Sequence, residues 1–433
     1  MANTFETLLF RAAVGLACAG CASSSTDRES CSESSVGEWQ PMSKPGFEPT
    51  QATGTWNGSE LLVFRGAEGN SAYDPCTDVW RGIASGYPEG GRHMGGLVGS
   101  RYVVWAWSLD GDPPRGAWLD AKGKAWTEMN MANAPEVDFS LSNLRLEQYT
   151  SESALVFTGE GSAGWADGRR YDLAKNAWRP IALPDGLSVR VDNVQVLVGD
   201  RLVIWGGVDG AGPLQTGFAY DSKRDEWQPI TKTGAPSPRH HAHAVSTGKE
   251  LLVWGGSALT GGSAMNVLRD GGVYDPVADA WRPITDQGAP DVTWVYQALW
   301  TGTRFLVIGS NDGGARSGGL YDPAANAWGA IDTNGMPGAI DQFEAHSTPS
   351  GRAVFIQDGR ELWVFDPTAN QWTAAPAAGA PARAPLVSAW TGTSFIAWGS
   401  VDEQLSDCSN VPGCDPYVKS IEYFTDGAAF RVE

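Results

Sequence analysis

The chain has 433 residues, with 31 basic against 50 acidic side chains and a formal net charge of −19. This balance excludes a general nucleic-acid binder, because a phosphate backbone would be repelled rather than release counterions. Its 54 Gly, 26 Pro and 20 Trp exclude a disordered chain, which lacks aromatic residues, and a mainly helical one, which tolerates neither Gly nor Pro in such numbers.

Residues 1–20 carry a lone Arg11 ahead of a short apolar stretch that ends in small residues at Cys21. The stretch is too short for a permanent membrane span and has the form of a secretory signal. Cys18-Ala19-Gly20 followed by Cys21 resembles the lipobox of exported bacterial lipoproteins, which implies a lipid on Cys21 and attachment to the cell envelope. The alternative is an ordinary cleaved signal and a secreted protein. Residues 21–35 are rich in serine and lack hydrophobic period, as a flexible tether does. No other stretch is apolar and long enough to span a bilayer.

Beyond Cys21 the mature chain holds Cys31, Cys76, Cys408 and Cys414, an even number that suits disulfides in an oxidising compartment. Cys408 and Cys414 flank a Pro- and Gly-containing segment that permits a tight ring, which leaves Cys31 for Cys76. Four cysteines allow three pairings. A zinc site is the rival reading, but the spacing lacks the C-x-x-C form, and neither metal nor cofactor is expected.

From residue 36 onward an internal repeat governs the chain. Asp precedes Trp by six positions in seven copies: Asp74 and Trp80, Asp120 and Trp126, Asp172 and Trp178, Asp221 and Trp227, Asp275 and Trp281, Asp322 and Trp328, Asp366 and Trp372. Tyr stands before the Asp in five of them, with Phe365 and Leu119 in the others, and Tyr423 with Phe430 reads as an eighth, altered copy. A period of about 50 residues indicates an array or propeller. Each copy contains four short β-like runs with Gly, Pro and polar punctuation, the pattern of an antiparallel meander. The Asp suits a turn in which its carboxylate accepts backbone N–H groups, and the Trp offers a large face for packing between neighbouring sheets.

The second run of a copy ends in paired glycines at Gly206-Gly207 and Gly255-Gly256. With the tyrosine strand and the tryptophan at fixed distance, these marks resemble the kelch repeat family of β-propellers over residues 36–433. The resemblance implies an all-β propeller of about eight four-stranded blades, with seven as the alternative. It also implies that one terminus closes the ring. Glu38-Trp39-Gln40-Pro41-Met42 reads as a tryptophan strand with no tyrosine strand before it, so Trp39 is expected to pair with the last blade, with Phe430 as an additional or competing outer strand.

The loops that follow the second strand vary most and lie with the loops that enter the first strand on one face of such a ring. Specificity is expected there. Arg190, Arg239 and Arg383 align at the start of the innermost strand, with Arg92 nearby. Guanidinium groups at a channel mouth favour a carboxylate, sulfate or phosphate, whereas the structural alternative has them bond carbonyls or carboxylates of the blades. His241 and His243 share a strand face at i and i+2, which lets them present two nitrogens to a metal or a proton-transfer site, and His346 aligns with His243 as a further candidate. The structural alternative is hydrogen bonding at the inner rim.

The function expected from these features is that of a lipid-anchored extracytoplasmic binding or scaffolding module. It would meet a glycan or protein at the variable-loop face as a monomer, with the membrane touched only through the lipid. The alternative is a carbohydrate-active enzyme in the central channel, similar to the sialic-acid mutarotases, in which Glu344 or His346 acts as general acid or base on an acidic sugar. No cysteine is placed for a galactose-oxidase type of copper site.

Overall fold

A computed structural model describes residues 36–49, 52–65, 69–84, 92–107, 115–120, 123–135, 143–150, 152–160, 164–187, 190–259, 265–338, 340–405 and 418–433. Residues 1–35, expected to hold a signal and a tether, lie outside them together with Cys408 and Cys414, so the expectations for Cys21, Cys31, Cys408 and Cys414 fall outside the described residues, and of Arg92 only the backbone is described. Eight four-stranded antiparallel sheets follow one another around a ring, and a 3-10 turn at Ile340–Gln342 is the only helical element among the described residues. The protein is an eight-bladed β-propeller.

The second strand of each blade explains why the blades stack. Leu61–Phe64 is buried at every position, because alternate side chains point to opposite neighbours. Leu61 and Val63 pack against blade 8, through Val387, Ile396 and Trp398, while Leu62 and Phe64 pack against blade 2, through Tyr102 and Val104. A strand enclosed on both faces reads as a continuous apolar run rather than an alternating one. The same arrangement produces one hydrophobic cluster at every junction around the ring.

The repeated Trp crosses each junction onto the end of the preceding blade's second strand. Ring centroids are 5.3 Å apart for Trp178 and Trp105, 5.2 Å for Trp281 and Trp205, and 4.7 Å for Trp328 and Trp254. Such tilted pairs contribute about 1 kcal/mol beyond burial. The repeated Asp does what a turn needs: Asp275 Oδ1 accepts the amides of Val277 and Ala278 at 2.8 and 3.0 Å.

A latch accompanies each of several tryptophans. Two residues before the Trp stands an Asp or Asn in the left-handed region, as at Asp78, Asn176, Asp225, Asp279, Asn326 and Asn370. Where the blade carries the tyrosine, this side chain accepts its buried hydroxyl, at 2.8 Å from Tyr274 to Asp279 and from Tyr321 to Asn326, whereas beside Asn370 the place is held by Phe365. The residue four past the preceding blade's Trp completes the joint. Thr285 donates its amide to Asn326 at 3.0 Å and accepts the Trp328 indole N–H at 2.8 Å, and Thr231, Asp332 and Ser43 repeat both bonds.

Ring closure follows from the same pattern. Trp39–Pro41 forms the outermost strand of blade 8, with Trp39 opposite Phe430. Gly37 holds the left-handed position two residues before Trp39, and Ser43, four residues after it, latches blade 1. Trp39 is therefore the eighth tryptophan. The eighth repeat pair read from the sequence is corrected: Tyr423 and Phe430 share one long strand, Val418–Arg431, and Phe430 occupies the tyrosine position. It is not an outer strand, because the N-terminal segment takes that edge by pairing Trp39 with Phe430. Pro41, Pro180, Pro229 and Pro283 each stand two residues after their Trp, where a missing N–H blunts the exposed sheet edge.

Candidate functional site at the mouth of the ring

The loops that enter the innermost strands and those that leave the second strands meet on one face, the mouth. Paired glycines shape it. Gly206 and Gly207 have φ of 69° and 89°, and Gly255 and Gly256 have 68° and 92°. These left-handed residues turn the second strand back so that Val208 bridges Val191 and Ser257 bridges His240. A Cβ on Gly256 would stand 2.6 Å from the His240 carbonyl oxygen, so close approach as well as φ requires glycine there.

Arg190 and Arg239 are fully buried within this framework. Arg190 donates through Nη1 to the carbonyls of Thr216 at 2.7 Å and Gly206 at 3.2 Å. Burial pushes its pKa down to about 10, opposed by the charge of Asp209, so it stays protonated at neutral pH. Arg239 bonds the carbonyls of Gly255 and Asp270 at 2.9 and 3.0 Å and pairs with the Asp270 carboxylate at 2.9 Å. Its pKa is also lowered by burial and partly restored by Asp270. Both guanidinium groups hold the loops of their own blades. Arg383 occupies the equivalent place in blade 8 and stacks over Phe424, 3.7 Å from the ring centroid. The Arg92 backbone lies in the innermost strand opposite Trp107, two positions further along than the other three.

The histidines separate into three environments. His243 opens an innermost strand opposite Trp254, and burial, followed by the charge of His241, lowers its pKa. His346 does not align with it. Pairing places His346 opposite Val354 and Glu344 opposite Ile356, so Glu344 holds the position of His243, and the alignment read from sequence is displaced by two residues. Innermost strands lack the Tyr-Asp and Trp landmarks, which leaves their register to the sheet. His346 is buried against Trp390, with centroids 5.6 Å apart and near-parallel rings, and its Nε2 lies 3.9 Å from Glu344.

His241 turns instead to the mouth, with φ of 52°. Its Nε2 is 3.4 Å from the Asp192 carboxylate, and its amide donates to the Asp192 carbonyl at 2.9 Å. Asp192 is the corresponding residue of blade 4 and has φ of 55°. His240, which the sequence reading left aside, packs against His241 with ring centroids 4.6 Å apart and planes tilted by 50°. The usable signal was the match of Arg190-Val191-Asp192 to Arg239-His240-His241 one repeat later.

One place further around the ring, Trp294 occupies the position of Val191 and His240. It is 54% exposed, and a register shift at Val295 and Gln297 interrupts the ladder beside it. A cleft of about 380 Å³ nearby is lined by Val267, Arg269, Thr293 and Asp312; Trp294 follows Thr293 in the chain but is not part of that lining. Arg269 reaches Asp291 at 3.0 Å and the Thr293 hydroxyl at 3.3 Å. A larger groove on the opposite face, near Lys223 and Lys249, has its charge offset internally, for example by Lys223 with Asp200 at 2.6 Å.

Cys76 is disulfide-bonded, and its partner lies outside the described residues. No described helix is long and apolar enough to cross a membrane. Neither the protein-family models nor the curated proteins searched give a match to the chain.

Proposed function

We propose that the protein is a kelch-like propeller that binds a glycan at its mouth face, outside the cytosol and tethered through Cys21. The observation that carries this reading is Trp294, an exposed indole on the face where the variable loops gather, one residue along the chain from Thr293 in the lining of a polar cleft. An indole offers a flat apolar platform for a sugar ring, while Arg269, Asp291, Thr293 and Asp312 supply the hydroxyl-bonding groups that fix orientation. The disulfide at Cys76 supports an oxidising compartment.

The test is a panel of neutral and acidic glycans presented to the wild-type protein and to Trp294→Ala, followed by calorimetry on any hit. Loss of about tenfold in affinity is expected, with Val277→Ser on the opposite face unchanged. Equal affinity in Trp294→Ala would refute the assignment. Cys21→Ser is expected to move the protein from the membrane to the soluble fraction, and retention on the membrane would contradict the tether.

The pairing of Glu344 with His346 favours the enzymatic alternative, since a carboxylate beside an imidazole is a proton-transfer pair. The cationic support for an acidic sugar is reduced, because Arg190 and Arg239 donate to carbonyls. Mutarotation or hydrolysis abolished by Glu344→Gln would favour that alternative over simple binding.

A further inference from the structure

The geometry points to a divalent transition-metal site at the mouth, between blades 4 and 5, formed by Asp192, His240 and His241. The sequence offers His241 with His243 as nitrogen donors, whereas the structure sets His241 with His240 and Asp192, ligands from two different repeats brought together by the glycine-turned loops. One donor atom from each residue lies within 4.8 Å of the others. An ion about 2.1 Å from each of its donors holds them about 3.4 Å apart in tetrahedral geometry. His241 Nε2 and the Asp192 carboxylate already stand at 3.4 Å, and movement of the two exposed side chains on the order of 1 Å closes the remainder.

His240 supplies the independent observation. Its side chain is more than nine-tenths buried, yet neither Nδ1 nor Nε2 has a hydrogen-bond partner. A buried imidazole without partners is costly unless something fills its lone pair, and metal coordination does so. Asp192 and His241 both hold left-handed backbone conformations, uncommon for residues other than glycine and frequent where a site constrains the chain.

The donor set decides the ion. Two imidazoles and one carboxylate suit zinc and its neighbours, while calcium and magnesium prefer oxygen alone. Three protein ligands leave a coordination position open, and the half-exposed His241 and Asp192 place it toward solvent. The site is separate from the Trp294 cleft, so failure of either assignment leaves the other standing.

The test is calorimetric titration of the untagged full chain with Zn²⁺, together with the absorption spectrum of Co²⁺ in the same site. One ion per chain and a tetrahedral Co²⁺ spectrum are expected. His240→Ala, Asp192→Asn and His241→Asn should each raise the dissociation constant at least about tenfold, since even outer-shell partners of metal ligands carry 10–100-fold. The last two replace exposed residues with one that tolerates left-handed backbone, so they report binding even if His240→Ala disturbs folding. Glu226→Gln, on the opposite rim, should bind as the wild type does and so controls for general attraction to an acidic protein. Absence of saturable Zn²⁺ binding, or wild-type affinity in Asp192→Asn and His241→Asn, would overturn the site.

Discussion

Replacing Asn326 tests the latch that joins the blades. Its carbonyl accepts the Tyr321 hydroxyl at 2.8 Å and the Thr285 amide of the preceding blade at 3.0 Å, while its backbone sits at φ 49°. Alanine removes both acceptors and adds about 1 kcal/mol of left-handed strain. Each bond contributes about 1 kcal/mol at most, less here because the turn is exposed and water replaces part of it. The expected loss is about 2–3 kcal/mol for Asn326→Ala and about 1–2 kcal/mol for Asn326→Gly, which relieves the backbone. Asn326→Asp should cost under about 0.5 kcal/mol, as Asp78, Asp225 and Asp279 occupy the same place in other blades. An unfolding entropy of about 0.8 kcal/mol per kelvin for a body of this length turns the alanine loss into a fall of about 2–4 °C in Tm. Calorimetry of the three variants gives the ranking. Alanine as stable as aspartate, or glycine worse than alanine, would refute the latch.

Two further expectations concern stability. Gly256→Ala should cost at least about 2 kcal/mol in urea unfolding, because its Cβ meets the His240 carbonyl at 2.6 Å, whereas Gly58→Ala, with φ of 96° but nothing within 4 Å, should cost only the backbone strain; equal losses would contradict close approach as the reason for glycine. Asp366 is held below the usual carboxylate range by the amide of Ala369, then by that of Thr368 and by Arg352. The charged form is favoured on folding, so this contribution is complete above the unfolded pKa of about 3.9 and is lost as pH falls through the lower folded value. Stability curves of wild type and Asp366→Asn should therefore converge toward pH 2, and a constant offset from pH 7 downward would refute the assignment.

The blade count and the role of the tryptophans were legible because Tyr, Asp and Trp occupy positions whose local chemistry is fixed: a turn that needs a carboxylate and a junction that needs a flat apolar ring. Closure was legible in part. Trp39 announced an orphan strand, but the length of Val418–Arg431 hid that Phe430 belongs to the third strand. The arginines were found by position, while their orientation was not readable, since the same guanidinium can face a ligand or the carbonyls of its own blade. The cluster of Asp192 with His240 and His241 was hidden for another reason: Asp192 lies 48 and 49 positions before the two histidines in the chain and meets them only because corresponding loops of adjacent blades touch.

The most direct test of the closed eight-bladed ring is a disulfide across its seam. Gln40 and Ala429 are opposite one another in the ladder, where Cα atoms stand about 5.5 Å apart, within reach of a disulfide. Gln40→Cys with Ala429→Cys, oxidised at low protein concentration and mapped by peptide mass spectrometry, should form the bond within one chain and raise Tm. Links only between separate chains, or no link between folded termini, would contradict closure by the Trp39 strand.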